Sequence, residues 1–492
     1  MKVVDFSVLA LRSAIASRSL SSEALVRECL ARIERLNPIV NAFSQVFAEE
    51  ALEEARACDR EAAEGCFRGP LHGIPMGVKD LFFVAGHVCQ RGSAAYKDFA
   101  PKATAPIVQR MIDAGSIMIG KTTTTEMGWS GSGHSEFYGP TRNPWNPELT
   151  SGGSSSGSGA ALAARMVPFT LGSDGGGSVR IPAAFCGVFA MKGSLGRVPA
   201  WPWSATEMLS HAGPMSLSAR DSALLFDIAK GPDPRDHLAL PDDGVRYLGA
   251  ELPRRLRIGF APSLFGFDVA PDIGRVVRGA VETIAQELRL DIHPVAPDWD
   301  DPIRIFETLW VAGRGVAYGA QSDRANFGSG FRGLIEASAQ YDLADYLSAM
   351  KARAEFAGSV HALFEEVDLL LLPTLPIEPF AADRETPEGF SSPSKALAWT
   401  GWTPFTYPFN LSGNPAASLP CGLTVNGLPV GLQVVGRRHA DALVMAFCQQ
   451  AEDHVFKEKI PPLVSAGDKA GWGTPSNPTA EISSWNSTGE HF

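Results

Sequence analysis

The chain has 492 residues, of which 45% are hydrophobic and 20% charged, and its formal net charge is −11. That is the composition of a globular protein long enough to bury a large core. An acidic balance without a Lys/Arg-rich run excludes nucleic acid as the expected partner.

No run of 18 apolar residues occurs, so no membrane span is expected. Residues 1–20 carry arginines inside their apolar stretch and read as an amphipathic helix rather than a signal peptide. Next comes "SSEALVRECLARIERLN", a helix with a serine cap and an expected stop before Pro38. "ALEEARACDREAAEG" is a second helix, ended by Gly65. From about 70 to 260 glycine is dense, and short strand-like runs ("GSIMIG", "MVPFTLGSD") alternate with helical ones ("TAPIVQRMIDAG", "SGAALAARM"). Such alternation predicts an α/β fold, a sheet with helices on its faces. Residues 261–400 read as mostly helical with polar loops, and "VDLLLLPT" as a fully buried strand. "LPVGLQVVGRR" is a strand entered through the turn "NGLP", and "ADALVMAFCQQAEDHVF" is the last helix. Residues 465–492 are polar, rich in Gly, Pro and Ser, and predict a flexible tail. The seven cysteines are scattered, odd in number and form no C-x-x-C pair, which predicts reduced thiols and a cytoplasmic location.

Two motif matches fail or weaken on context. "GSIMIGKT" (115–122) has the spacing of a phosphate-binding loop, but a helix precedes Gly115 and residues 116–119 read as a strand. Gly115 is better explained as a helix C-cap. "GSSSG" (153–157) matches G-x-S-x-G with Ser155 as nucleophile, and an α/β-hydrolase-like esterase would recruit His439 as its base. That alternative leaves a second serine run, "SDGGGSVRIP", unexplained. No His/Cys/Asp/Glu cluster has ligand spacing, so neither a metal nor a cofactor is expected.

A different constellation meets the needs of acyl transfer. A serine hydroxyl requires a base, yet no histidine lies in or beside either serine run. A lysine serves if burial keeps it neutral, and Lys79 in "GIPMGVKDLF" has apolar neighbours. Three glycines before Ser178 let backbone N–H groups face an oxyanion.

The order and spacing of these segments resemble the amidase signature family of serine hydrolases. The matching stretches include "LHGIPMGVKD", "GKTTTTEM", "TRNPWNPELTSGGSSSGSGAALAA", "LGSDGGGSVRIPAAFCGVFAMKGSLGRV", "GPMSLSARD" and "NLSGNPAASLPCGLTVNGLPVGLQVVG". They cover residues 5 to 462 and are densest from 70 to 220. The resemblance implies one domain over 1–464, with a large mixed central β-sheet covered by helices on both faces. Within it, 1–69 would be N-terminal helices, 70–260 the catalytic core, 261–400 a variable region framing the pocket and 401–464 the C-terminal strands and helix.

The resemblance also implies a Ser–cisSer–Lys triad: Ser178 as nucleophile, Ser154 as proton relay on a cis peptide and Lys79 as base. Gly175, Gly176 and Gly177 would form the oxyanion hole, and Ser155, Asp174 and Arg180 would brace the site. Gly128 and Trp129 fall on a segment that lines the acyl pocket in relatives. Trp201, Trp203, Trp310, Trp399 and Trp402 lie in regions that frame it, and of these Trp203 and Trp402 are the expected substrate contacts. These aromatics favour aryl or hydrophobic amides, with carbamates (urethanes) and esters close behind. The family also holds the glutaminase components of amidotransferases, but the position where those carry a glutamine-binding acid is Thr403 here. An inactive scaffold member is a further alternative, set against three filled triad positions. The expected partner is a small-molecule amide or carbamate, with no nucleic acid and no membrane; a homodimer is left open.

Overall fold

In a computed structural model the described residues are 7–469, apart from 322, 323, 395 and 457–459. The flexible tail expected from 465 is corrected at its start, where Pro462–Lys469 is helical, and its remainder beyond 469 lies outside the described residues.

Among the described residues, eleven strands form one sheet. Their order is Phe43–Val46, Ile117–Thr122, Pro75–Lys79, Phe169–Asp174, His211–Ser216, Phe189–Lys192, Ala416–Leu423, Pro429–Gly436, Leu369–Pro373, Ile258–Phe260 and Ile292–Pro294. Pro75–Lys79 runs parallel to both neighbours, as does Ile258–Phe260. The remaining pairs are antiparallel, so the sheet is mixed, as expected. Every residue of Pro75–Lys79 and of Leu369–Pro373 is buried. Strands covered on both faces need such continuous apolar runs rather than an alternating pattern. One apolar cluster packs the N-terminal helices and helices Ala219–Ala229, Pro271–Leu288 and Asp441–Val455 around the sheet. A second gathers Phe306, Trp310, Trp399, Trp402 and Phe409 with helix Leu343–Glu366. No helix among the described residues is long and apolar enough to cross a membrane.

Local signals held with one exception. Ser21 accepts a hydrogen bond from the Ala24 amide and starts helix Ser22–Val40, but the helix does not stop before Pro38. Proline costs an N–H bond and a clash one turn back, and here only two helical residues follow it. Val40 is fully buried, which favours completing the turn. The stop is Asn41, left-handed at φ +55°, while the Asn37 side chain accepts the amides of Ala42 and Phe43.

At 115–122 the phosphate-loop match dissolves as expected. Helix Pro106–Asp113 closes with Gly115 at φ +95° and the Ser116 amide donating to the Met111 carbonyl. The following residues are strand Ile117–Thr122. Its Lys121 is fully buried, 3.0 Å from Asp80 Oδ1, and donates to the Phe82 carbonyl. Asp80 also accepts from the Gln90 amide and the Tyr138 hydroxyl. Lys121→Met would strand that carboxylate in the interior. It should lower the unfolding free energy, measured in guanidinium, by about 3–5 kcal/mol.

Candidate active site

Lys79 is the last residue of strand Pro75–Lys79, between strands Ile117–Thr122 and Phe169–Asp174. The two outer strands run parallel to it, and sheets of this kind open at such carboxyl ends. Lys79 Nζ is fully buried, 2.8 Å from Ser154 Oγ, 2.9 Å from Ser155 Oγ and 3.0 Å from Ser173 Oγ. Burial pushes its pKa well below the ordinary 10.5, and the nearby Asp174 carboxylate opposes that fall only in part.

Ser154 and Ser155 lead into helix Ser156–Ala163, and the Gly153–Ser154 peptide is cis. Gly153 admits no side chain: a Cβ there would stand 1.9 Å from the Ser132 carbonyl oxygen. Ser178 lies between strand Phe169–Asp174 and helix Arg180–Cys186, and its side chain is 5% exposed. Its carbonyl accepts the Ser155 amide at 3.1 Å, which joins the two serine runs. Among the described residues no hydrogen bond links the Ser178 and Ser154 hydroxyls.

The loop that carries Ser178 is pinned by a buried ion pair. Arg180 donates twice to Asp174, through Nε to Oδ2 and Nη2 to Oδ1, both at 3.0 Å. Its other N–H bonds reach the Thr406 carbonyl, Gln433 Oε1 and Asn410 Oδ1. Asp174 also accepts the amides of Gly177 and Val179 and the Asn410 side chain. Burial alone would raise this carboxyl, but the Arg180 guanidinium and these donors outweigh it and hold its pKa well below the carboxylate range.

That bond corrects the expected oxyanion hole. The Gly177 N–H is taken by Asp174 Oδ1 at 2.8 Å, so it faces away from any substrate oxygen. Among the described residues nothing accepts the amides of Gly175 and Gly176. Gly177 has a different need, with φ +129° and Thr406 Oγ1 only 2.5 Å from where a Cβ would sit.

Gly128 is beside the relay position: a Cβ there would be 3.3 Å from Ser154 Oγ. The Trp129 carbonyl accepts the Trp310 indole N–H at 3.2 Å. Added Cβ atoms on Gly176 and Gly175 would meet the rings of Phe306 and Trp310 at 2.7 and 2.8 Å, so aromatic rings wall this loop. Trp402 is a second correction. It is fully buried between Phe185 and Phe380 and donates to the Glu385 carbonyl, which makes it core rather than a substrate contact. Trp203 is 61% exposed, at the rim of a small cavity that Ser210 and Asp236 also line.

The Ser155–His439 pairing does not form. Ser155 Oγ is engaged with Lys79 and Ser173, whereas the His439 amide bonds to Ser194 and its ring lies near Arg438 and Asp441. Ser173, Asn410 and Phe306 were missed. Strand register could have found the first, since Val78 pairs with Leu171 and so brings Ser173 near Lys79. The other two lie far along the chain and carry no local signal. Among the described residues, Cys58, Glu61 and His72 group as metal-ligand types, but both imidazole nitrogens are hydrogen-bonded, to the Arg68 amide and the Cys58 carbonyl.

A family model described as Amidase matches residues 24–445, and the chain belongs to that family, the amidase signature enzymes. It is thus a hydrolase of C–N bonds. An acylamidase from Rhodococcus erythropolis is 32% identical over 89% of this chain and 93% of its own. A glutamyl-tRNA(Gln) amidotransferase component from Methylococcus capsulatus is 34% identical over 87% of this chain and 92% of its own. Among solved structures, 6-aminohexanoate cyclic dimer hydrolase with its substrate superposes with TM-score 0.85 at 28% identity, covering 94% of this chain and all of that one. A bacterial aryl acylamidase gives 0.83 at 27% identity, covering 91% and 96%.

Arg180→Met would leave Asp174 charged and its fork unfilled. It should cost about 3–5 kcal/mol in denaturant unfolding, and Arg180→Lys should recover only part, because an ammonium cannot fill the fork.

Proposed function

We propose that the protein is an amidohydrolase of aryl or hydrophobic amides, with carbamates and esters as secondary substrates. Ser178 is the nucleophile, Ser154 the proton relay and Lys79 the base. The observation that carries this reading is a fully buried lysine whose amine is ringed by three serine hydroxyls.

The hydrogen bonds favour one direction of proton flow. Ser155 Oγ donates its proton to the Ser173 carbonyl, so it must accept from Lys79. A neutral amine has two N–H donors and one lone pair. With the donors spent on Ser155 and Ser173, the lone pair is left for the Ser154 hydroxyl proton. Ser154 Oγ is then free to accept from Ser178, a contact that closes when substrate binds, as catalytic hydrogen bonds commonly do.

As Ser178 Oγ bonds to the carbonyl carbon, its proton passes to Ser154 and that of Ser154 to Lys79. The amides of Gly175 and Gly176 receive the oxyanion. The intermediate collapses when Lys79 returns a proton, through Ser154, to the leaving nitrogen. Water then attacks the acyl-enzyme by the same route and releases the acid.

The aromatic wall of Phe306, Trp310 and Trp399 supports a flat or apolar substrate. The glutaminase reading draws on the amidotransferase relative, but Thr403 is buried, with its hydroxyl toward the Trp399 carbonyl, and offers no acid for a glutamine ammonium.

A fluorophosphonate should label Ser178, read by peptide mass spectrometry; label on Ser155, or none, would overturn the assignment. Ser178→Ala and Lys79→Met should each cost about 10³-fold or more in kcat on an anilide. Release of ammonia from glutamine, with anilides and aryl carbamates untouched, would sink the substrate class. The active amine is the neutral one, so kcat/KM should climb as pH rises through the depressed Lys79 pKa, with a midpoint below 10.5. A flat profile would exclude a lysine base.

A further inference from the structure

Helix Ile303–Tyr318 carries Phe306, Trp310, Arg314 and Tyr318 at four-residue intervals, one stripe along one face. The first two rungs are the rings against Gly176 and Gly175. They stack at 5.0 Å, and the Arg314 guanidinium carbon lies 3.6 Å from the Trp310 ring centroid. Arg314 is 6% exposed, yet its Nε and Nη1 are shut off from solvent without a hydrogen-bond partner.

A second arginine approaches from another part of the chain. Arg91 lies 4.8 to 5.5 Å from the ring centroids of Phe83, Tyr96 and Phe99, and its buried Nε also lacks a partner. Its carbonyl accepts the Met127 amide, one residue before Gly128 and the Ser154 relay. Both arginines sit near the Tyr318 phenol, where they oppose the rise that burial imposes on it. Arginine stays charged in proteins, and a buried charge without a counter-charge is strongly disfavoured. Among the described residues no carboxylate pairs with either guanidinium. A buried cation and a half-buried one against aromatic walls, each with an Nε donor unspent, are suited to a planar anion.

We propose that Arg314 and Arg91 bind a carboxylate carried by the substrate, so that the preferred amides are acidic ones. The Arg314 guanidinium lies on the face of the ring that borders Gly175. The carboxylate it holds therefore sits beside that ring, where the far substituent of a para-substituted benzene would reach. This assignment rests on the amidase reading above and narrows its substrate class.

The test compares 4-acetamidobenzoate with 4-methylacetanilide, and 4-carbamoylbenzoate with 4-methylbenzamide. The charge thus sits on the leaving side in one pair and the acyl side in the other. In at least one pair the carboxylate should raise kcat/KM about tenfold or more. That ratio should fall to about one in Arg314→Met, and should fall in Arg91→Met as well. A wild-type ratio near or below one in both pairs overturns the anion site, and so does a ratio that Arg314→Met leaves unchanged. Calorimetry on Ser178→Ala separates the two readings. Tighter binding of the carboxylate, lost on adding Arg314→Met, supports the site even where no amide is turned over, and absent turnover then counts against the amidase reading alone. Equal binding of charged and methyl ligands overturns the site. Arg91→Met, on the other wall, supplies the same comparison should Arg314→Met not fold.

Discussion

The buried pair of Asp174 and Arg180 fixes the backbone around Ser178. It joins the end of a central strand to the first turn of the next helix, and through Thr406, Asn410 and Gln433 it ties both to the C-terminal part of the chain. The loop between them has three consecutive glycines and little packing of its own. Its shape is imposed instead by Asp174, which accepts the Gly177 and Val179 amides and so aims the remaining ones elsewhere. Such a pair repays its desolvation only when its hydrogen-bonding groups are met. Here all five guanidinium N–H bonds find acceptors.

The same pair governs the charge on Lys79. An unpaired carboxylate at Asp174 would pull a proton onto the nearby amine, whereas Arg180 neutralises it and burial holds the amine's pKa well below its ordinary value. Lys192 and His211 are held down in the same way, each chiefly by burial. His211 Nδ1 faces the carbonyls of Asp174 and Leu209, so the ring proton is assigned there and Nε2 is left toward Lys192 Nζ. Buried neutral bases have a cost. The unfolded chain binds protons at these three groups that the fold refuses, so their own contribution to stability grows as pH rises toward the unfolded values.

How far the sequence disclosed this depended on range. The Gly-Ser runs, Lys79 and Asp174–Arg180 lie in short stretches whose residue types already state their chemistry. The buried strand at 369–373 was equally plain, because only a strand covered on both faces needs four consecutive leucines before its proline. The helix end at Asn41 was misread because a proline is a louder signal than an asparagine in a left-handed turn. Gly177 was misassigned for a related reason. A glycine triplet shows that amides can face inward, but not which of them a neighbouring carboxylate takes. Trp402 marks the outer limit, since a tryptophan looks the same in sequence whether it faces a ligand or Phe185.

The helix that supplies Phe306, Trp310 and Arg314 is built apart from the segment that carries Lys79 and the serines. Lys79, Ser154, Ser155, Ser178 and Arg180 all come from residues 79–180, on the sheet and the turns that leave it. The aromatic wall over Gly175 and Gly176 is brought from more than a hundred residues away and touches them through ring contacts and the bond from Trp310 to the Trp129 carbonyl. Ring-to-glycine packing sets distance without fixing charge. Substitutions at the third rung of the ladder can therefore change the charge beyond the rings while Gly175, Gly176 and the serine keep their places. Arg314 occupies that rung. Its unmet donors are tolerable only because the stacked Trp310 face offsets part of their lost hydration.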